Sequence, residues 1–560
     1  MAAPANKGSF ESLCTIYEST LRFLSLAYEL VAGAFLDVSE SSSSKQDDNG
    51  MSLYEELLQV MVQVAAPFSN YQERFGALEL KHSSGVTQPV AKDIHQAVNQ
   101  VSVSPSLESI QNVTDRLKDL APYIFPMAQG SLDRFELLTG GYLANNAIST
   151  VDKIVSGHVG ELAIAIRTLS TGVTADPSRL ADGFDEQHVL CSMEVLKLAG
   201  TFHQDLQAFE SKSRERFGML SQRMMDQSKR EQELQEAKTT SKAKNAFILP
   251  DSMSVVNIDS MLTKKICTGR DDMDDATVAL SVLQRLALSP DEGGTSPLYP
   301  ESFASFQRLV HSCHSFVFDV CSAVPRLHLD SMSDMACWKS VASDDMNSYG
   351  TLPQHYITQV GEHMLALVQA LEPFASDPEA LELANYVMEG LRDVALQVWT
   401  EFAGAAGIMG SDPVVGSLMD SMSVADYVLN NSALAEEDAE LDGDASPAEK
   451  ASAEFCNKWL DVVGLAVTGR LLERIMRIPQ LTPKGCEHLA ADLNYLVNVF
   501  SALGVAGHPH PLVSHLAEIS ALSDDDLKMQ ITGRSKDDPV AAAMRSVEAR
   551  MALLRGMVVH

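Results

Sequence analysis

The sequence predicts an all-α fold, an elongated rod of successive antiparallel helical bundles. Apolar residues recur at spacings of three and four, as they do on the buried face of a helix. Strictly alternating runs of Val, Ile and Thr, which predict strands, are nearly absent. The chain has 560 residues, whereas a single core stops growing at about 250–300 residues, so we expect several helical modules.

Residues 1–205 are predicted to form an N-terminal helical bundle region. The helical pattern of residues 13–36 comes from apolar side chains at Leu13, Ile16, Tyr17, Leu21, Leu24, Tyr28 and Val31. Residues 53–68 repeat this pattern, and Pro67 marks the end of the helix. Between these helices, residues 39–50 are serine-rich and then acidic, so we expect a mobile loop that early proteolysis would cut.

Residues 206–432 are predicted to form a middle helical bundle region. Its segment 211–244 is the basic part of the chain, but acidic residues are interleaved with the lysines and arginines. Mixed signs favour a solvated helix that continues into a loop over a phosphate- or lipid-binding patch. Glycines and prolines predict a loop at 289–302, and a further helix is predicted to begin at Pro353.

An acidic linker is predicted at 433–450, followed by a C-terminal helical module at 451–560. The dipeptide Thr482-Pro483 predicts an N-cap followed by a first-turn proline. The stripe behind it predicts a helix that is buried on one face, with apolar residues Leu489, Leu493, Leu496 and Phe500. Because the connection before Thr482 is short, we expect this helix to pack antiparallel against the helix that carries Trp459.

Composition disfavours several classes of function. The formal net charge of −33 repels phosphate backbones and anionic membrane surfaces, so we expect no nucleic-acid binding and only indirect membrane association. The eight cysteines are scattered without a CxxC pair, which favours reduced thiols. No signal peptide precedes Ser9 and no apolar run reaches the length of a transmembrane helix.

The acidic motif DDxxD at 271–275 is one candidate for chemistry. In all-helical isoprenoid synthases such aspartates hold Mg²⁺ on a diphosphate, and carboxylate oxygens suit this cation. Here Asp271, Asp272 and Asp275 directly precede an apolar helix, and acidic residues at a helix start favour the helix dipole. No second acidic motif accompanies the first, so we interpret the run as structural and expect Asn substitutions to be tolerated.

Two histidine groups could suggest a metal site. His311, Cys313, His314 and Cys321 lie among apolar residues, which favours a core helix over the four converging ligands of a zinc site. His508, His510 and His515 alternate with prolines after Gly504, which favours a turn between helices. We therefore predict no catalytic, cofactor-binding or metal-binding residues, and the sequence assigns no partner-binding residues.

Long helical chains without a catalytic constellation usually provide assembly surfaces. Three interpretations stay open on the residues: a structural subunit of a multisubunit assembly, an isoprenoid-synthase-like enzyme resting on the acidic motif at 271–275, and a helical adaptor of another complex. A deep cavity with a second acidic cluster would favour the enzyme.

Two sequence blocks resemble the seventh-subunit family of the conserved oligomeric Golgi complex. The first block is Thr351-Leu352-Pro353-Gln354-His355-Tyr356-Ile357, followed by Leu371-Glu372-Pro373-Phe374. The second block starts at Trp459 and continues through Ile478-Pro479-Gln480-Leu481-Thr482-Pro483. Weaker similarity upstream includes Arg74-Phe75-Gly76 and Asp133-Arg134.

This resemblance implies a non-catalytic helical-rod subunit at the cytoplasmic face of the Golgi, acting in intra-Golgi retrograde transport and in retention of glycosylation enzymes. It implies that the fifth, sixth and eighth subunits are partners, with SNAREs, Rab GTPases or coat proteins contacted through the complex, and it implies no cofactor. The family carries an N-terminal coiled-coil region for assembly, and we expect this chain to lack it, because none precedes Phe10.

Overall fold

The computed structural model describes residues 9–41, 53–103, 106–176, 178, 184, 186–240, 263, 273–289, 296–339, 352–395, 397, 446–505, 508–533 and 539–557. Throughout these ranges the chain forms helices joined by turns and contains no strand. The predicted all-α class is therefore confirmed.

The first two helices match the apolar periodicity predicted for residues 13–36 and 53–68, and five more follow in the first half of the described chain. They are α1 (Ser9–Ser41), α2 (Leu53–Ala65), α3 (Ser69–Glu73), α4 (Phe75–Val103), α5 (Leu107–Thr139), α6 (Ala144–Ala175) and α7 (Glu186–Thr240). A 3-10 turn at Ala66–Phe68 contains the proline that was predicted to end α2. Helix α1 continues to Ser41, so the predicted loop at 39–50 begins inside it, and residues 42–50 lie outside the described residues.

The second half of the described chain contains nine further helices, of which four have a side-chain N-cap. They are α8 (Met273–Ala287), α9 (Pro300–Asp330), α10 (His355–Ala375), α11 (Pro378–Asn385), α12 (Pro447–Met476), α13 (Pro483–Leu503), α14 (Pro511–Ser520), α15 (Asp524–Gly533) and α16 (Pro539–Leu554). Two 3-10 turns, Met332–Asp334 and Ala336–Lys339, follow α9.

The chain divides into two compact units, each assembled from separate stretches of sequence. The first unit comprises Met1–Asp93, Asp119–Glu161 and Phe202–Phe306, and the second comprises Ile94–Lys118, Leu162–Thr201 and Gln307–His560. The division at residues 205, 432 and 450 stays a prediction.

Aromatic side chains form the centre of the first unit. The Phe75 ring lies 6.4 Å from the Phe10 ring and 6.0 Å from the Phe135 ring, measured between centroids. In the same way Phe209 lies 5.6 Å from Phe125 and 5.2 Å from Tyr299. All of these rings are buried. Buried aromatic pairs of this kind contribute beyond their area, so they fix how the helices of this unit pack.

Asp152 of α6 caps the start of α9 in the first unit. Its buried carboxylate accepts hydrogen bonds from the backbone N–H of Glu301 (3.0 Å) and of Ser302 (2.7 Å) and from the Ser302 hydroxyl (2.6 Å). The first amides of a helix have no partner within it, so an acceptor there stabilises the helix. The predicted end of the loop 289–302 is therefore wrong, because α9 already begins at Pro300.

Helix α13 confirms the predicted cap and stripe of the C-terminal module. The Thr482 hydroxyl accepts a hydrogen bond from the Gly485 N–H at 3.0 Å, and Pro483 occupies the first turn. The stripe residues Leu489, Leu493, Leu496 and Phe500 are buried. The predicted packing of α13 against α12 is wrong: α13 packs mainly on α10, α14 and the Ala336–Lys339 turn, and α12 packs on α10.

The connection between α12 and α13 explains this difference. Leu481 donates its backbone N–H to the carbonyl of Leu554 at 2.8 Å, and Thr482 donates to the carbonyl of Trp338 at 3.0 Å. At Gly485 a Cβ would lie 2.3 Å from the Trp338 oxygen, so only glycine allows this approach. The short connection is therefore held by hydrogen bonds to segments distant in sequence, and the helix after it does not fold back along α12.

The start of α10 depends on a buried carboxylate from α13. Asp492 accepts hydrogen bonds from the Gln354 backbone N–H (2.6 Å) and from the Tyr356 hydroxyl (2.8 Å). Helix α10 begins at His355 with Gln354 as its N-cap, two residues later than the predicted start at Pro353. The Gln354 side chain makes no capping hydrogen bond, so Asp492 takes the role of the cap.

Candidate assembly surface

The acidic motif falls mostly outside the described residues. Asp271 and Asp272 precede the described part of this segment, and Asp275 lies in the first turn of α8. As predicted, an apolar helix follows, with Ala279, Leu283 and Leu286 of α8 buried.

Three of the four candidate metal ligands in α9 are core residues of the second unit, and the fourth, His311, is only partly buried. Cys313, His314 and Cys321 are buried. The His314 Nδ1 lies 2.9 Å from the Val310 carbonyl oxygen, and its ring stacks on Trp459 at 5.9 Å between centroids. Among the described residues no group of His, Cys, Asp or Glu is arranged to hold a metal ion.

The three histidines before and within α14 are buried and point to different partners. His508 Nε2 lies 2.9 Å from an Asp461 carboxylate oxygen, and His515 Nε2 lies 2.8 Å from a Glu548 carboxylate oxygen. His510 is the N-cap of α14 and accepts the Leu512 N–H at 3.2 Å. Sequence reasoning placed these histidines in a turn but missed both carboxylates, because Asp461 and Glu548 are distant in sequence.

Buried histidines of the second unit make its stability dependent on pH. Burial lowers the pKa of His314 and of His363 to about 4 and that of His510 to about 3. Burial raises the pKa of Asp492 to about 6. Each histidine has a folded pKa below its unfolded value of about 6.5, so its stabilising contribution is lost as the pH falls. Asp492 has the opposite sign and gains stability as the pH falls through 6.

We expect the second unit to lose roughly 3 kcal/mol of unfolding free energy between pH 6 and pH 5, because the unfolded state binds about two more protons than the folded state. Urea unfolding curves across this range measure the slope. The variant His363→Gln removes one of the three histidines and should lower the slope by about 1.4 kcal/mol per pH unit. An unfolding midpoint that stays constant or rises toward pH 5 would contradict this expectation.

Three arginines of the basic segment are engaged within the first unit. Arg216 of α7 forms ion pairs with Asp133 at 2.6 Å and Glu136 at 2.7 Å, and Arg223 pairs with Glu136 at 2.6 Å. Arg214 donates to the Leu288 carbonyl at 2.6 Å. Helix α7 covers the segment up to Thr240, and residues 241–244 lie outside the described residues. The interleaved charges predicted a solvated helix, whereas acids of α5 pair with Arg216 and Arg223.

Helix α1 carries two apolar faces. One face is buried in the first unit and consists of Phe10, Cys14, Tyr17, Leu21, Leu24 and Tyr28. The other face is exposed, with Ile16 at 57%, Phe23 at 66%, Leu26 at 54% and Leu30 at 75% of full exposure. The apolar spacing grouped Ile16 with Tyr17 and Leu21, but Ile16 lies on the exposed face.

The exposed residues of α1 follow a heptad spacing. Ile16, Ser19, Phe23, Leu26 and Leu30 are separated by steps of three, four, three and four residues. We call these five residues the α1 seam. Single exposed apolar residues are normal on a protein surface, but a continuous exposed stripe is typical of an interaction site. The α1 seam is therefore the candidate functional site.

The family of this chain follows from comparison with known sequences. The sequence model of the family described as Golgi complex component 7 matches residues 4–392. The chain belongs to this family. The match includes α1 and the first resembling block, and it ends before the second block at Trp459.

Relatives named conserved oligomeric Golgi complex subunit 7 agree with the family. The Bos taurus protein is 20% identical over 510 residues, covering 88% of this chain and 55% of the relative. The Arabidopsis thaliana protein is 21% identical over 482 residues, covering 80% of this chain and 48% of the relative. The Homo sapiens protein is 24% identical over 251 residues, which is 44% of this chain and 26% of the relative.

The chain spans about half the length of the curated relatives that it matches along most of its sequence. The resemblance predicted from the sequence blocks is confirmed at the level of the family. Across the helices that the structure describes, none is long and apolar enough to cross a membrane.

Proposed function

We propose that this chain is a non-catalytic subunit of the conserved oligomeric Golgi complex that supports intra-Golgi retrograde vesicle transport. The observation that carries the proposal is the family match over residues 4–392. The exposed α1 seam supports it, because an assembly subunit needs an apolar surface for its partners. In this role the chain helps to organise the Golgi and to retain glycosylation enzymes in the correct cisternae.

The proposed partners are the fifth, sixth and eighth subunits of the complex, with SNAREs, Rab GTPases or coat proteins contacted through the assembly. The proposed location is the cytoplasmic face of the Golgi membrane, with peripheral attachment. The formal net charge of −33 supports indirect attachment, because anionic headgroups repel an acidic protein. The same charge disfavours a role in nucleic-acid binding.

Affinity purification of the tagged chain from its own cells, followed by mass spectrometry, tests the proposal. We expect the sister subunits of the Golgi complex to be recovered together and to be missing from a sample with the tag alone. Depletion of the chain should also displace Golgi glycosylation enzymes, and re-expression should restore them. Recovery of the chain without any sister subunit would overturn the proposal.

A further inference from the structure

The α1 seam is an apolar surface with the periodicity of a helix–helix interface. We infer that the seam binds a single amphipathic α-helix of a sister subunit, which presents apolar residues at heptad positions and Lys or Arg along its flanks. This inference rests on the proposed function and names the partner of one surface.

The spacing of the seam favours a helix as the partner. In heptad notation Ile16, Phe23 and Leu30 occupy a positions, and Ser19 and Leu26 occupy d positions. A repeat of 3.5 residues keeps these positions aligned with a second helix, which inserts its own side chains between them. The seam covers four turns of α1 and about 21 Å of helix axis, enough for two heptads of a partner.

A partner can reach the seam while α1 stays packed in the first unit. The buried face, which includes Tyr17 and Leu24, holds the helix in the first unit. The hydroxyl of Ser19 donates to the Thr15 carbonyl at 2.7 Å, so this polar group is satisfied within α1. A partner that covers Ser19 would therefore leave no donor unsatisfied.

Charge decides between a helix and a lipid surface as the occupant. The exposed charged side chains of α1 that the structure describes are Glu11, Glu18 and Glu29 against a single cation, Arg22. The whole chain has a formal net charge of −33. An anionic bilayer is repelled by such a helix, whereas a partner helix with Lys or Arg on its flanks is attracted and oriented by it.

The double variant Phe23→Ser with Leu30→Ser tests the seam in the full chain co-expressed with the fifth, sixth and eighth subunits. Because both side chains are exposed, we expect an unchanged melting temperature and at least about a tenfold loss of one co-purifying sister subunit. The matched control is Tyr123→Ser on α5, where the side chain is 69% exposed and lies outside the seam. This control variant should still co-purify with every sister subunit.

The outcomes separate the two proposals. If the unchanged chain recovers no sister subunit, the proposed function fails. If the unchanged chain and the double variant recover the same subunits equally, only the seam inference is overturned. A double variant with a lowered melting temperature would also overturn it, because the seam would then be part of the fold.

A photo-crosslinking amino acid at Leu26 identifies the occupant. We expect crosslinks to one helix of a sister subunit, at residues three or four apart and within a turn of Lys or Arg. Crosslinks within the chain, or to a second copy of it, would overturn the inference. The inference would also be overturned if the chain floated with vesicles of phosphatidylserine and phosphatidylcholine and the double variant did not.

Discussion

Replacing Glu79 by Gln should destabilise the first unit by about 3–5 kcal/mol, the usual cost of removing one partner of a buried ion pair. Glu79 of α4 is fully buried, and the Arg134 side chain of α5 is 17% exposed. Arg134 donates from Nε to the Glu79 carboxylate at 3.0 Å and makes a second hydrogen bond from its terminal nitrogen. Without the carboxylate the guanidinium, which is mostly buried, loses its ion-pair partner and both hydrogen bonds to it.

Hydrogen exchange of α5 amides, followed by mass spectrometry, reports the free energy of opening for this unit. The control is the double variant Glu79→Leu with Arg134→Met, which removes both charges and keeps apolar volume. Such replacements are often neutral or stabilising, so the double variant should recover most of the loss. A loss in the double variant as large as that of Glu79→Gln would show that the pair is not the cause.

Leu493→Ala should cost on the order of 2–5 kcal/mol in the second unit, the range for a buried leucine in a packed core. Leu493 lies at the centre of the α13 stripe and has no exposed surface. Its helix packs on α10 and α14, so the vacated volume is enclosed on more than one side. A loss of this size is a large part of a typical domain stability of about 5–15 kcal/mol, and we expect lower abundance in cells.

Thermal unfolding of the full chain, together with exchange of α13 amides, measures this effect. The matched substitution is Leu365→Ala in α10, where the side chain is 44% exposed, and its cost should stay within about 0.5 kcal/mol. An unchanged melting temperature for Leu493→Ala together with a lost sister subunit would favour a docking role for the stripe over burial.

Local signals predicted the helices well where a cap accompanies an apolar stripe. At α13 the cap Thr482, the proline behind it and the buried leucines all match the prediction. At α12 the prediction extended the acidic linker to residue 450, but the helix begins at Pro447. Ser446 and Glu449 form a capping box, and this S-x-x-E signal was present in the sequence. Composition alone cannot distinguish a polar cap from a polar loop.

Non-local contacts were not predictable from spacing. Asp152 caps a helix 149 residues away, and Glu136 neutralises Arg216 across 80 residues. The α1 seam was missed for a related reason. Periodicity grouped Ile16 and Tyr17 in one apolar pattern, and only the packing shows that Tyr17 is buried and that Ile16, one residue earlier, is exposed.

The buried cysteines of α9 are unreactive toward thiol reagents in the folded protein. Nucleophilic attack on an alkylating reagent requires the thiolate, and burial raises the pKa of Cys321 to about 12 and that of Cys313 further still. At neutral pH both sulfurs are therefore protonated and shielded from reagents. Either thiol can therefore be modified only when the second unit opens. The rate of modification of these cysteines reports how often this unit unfolds.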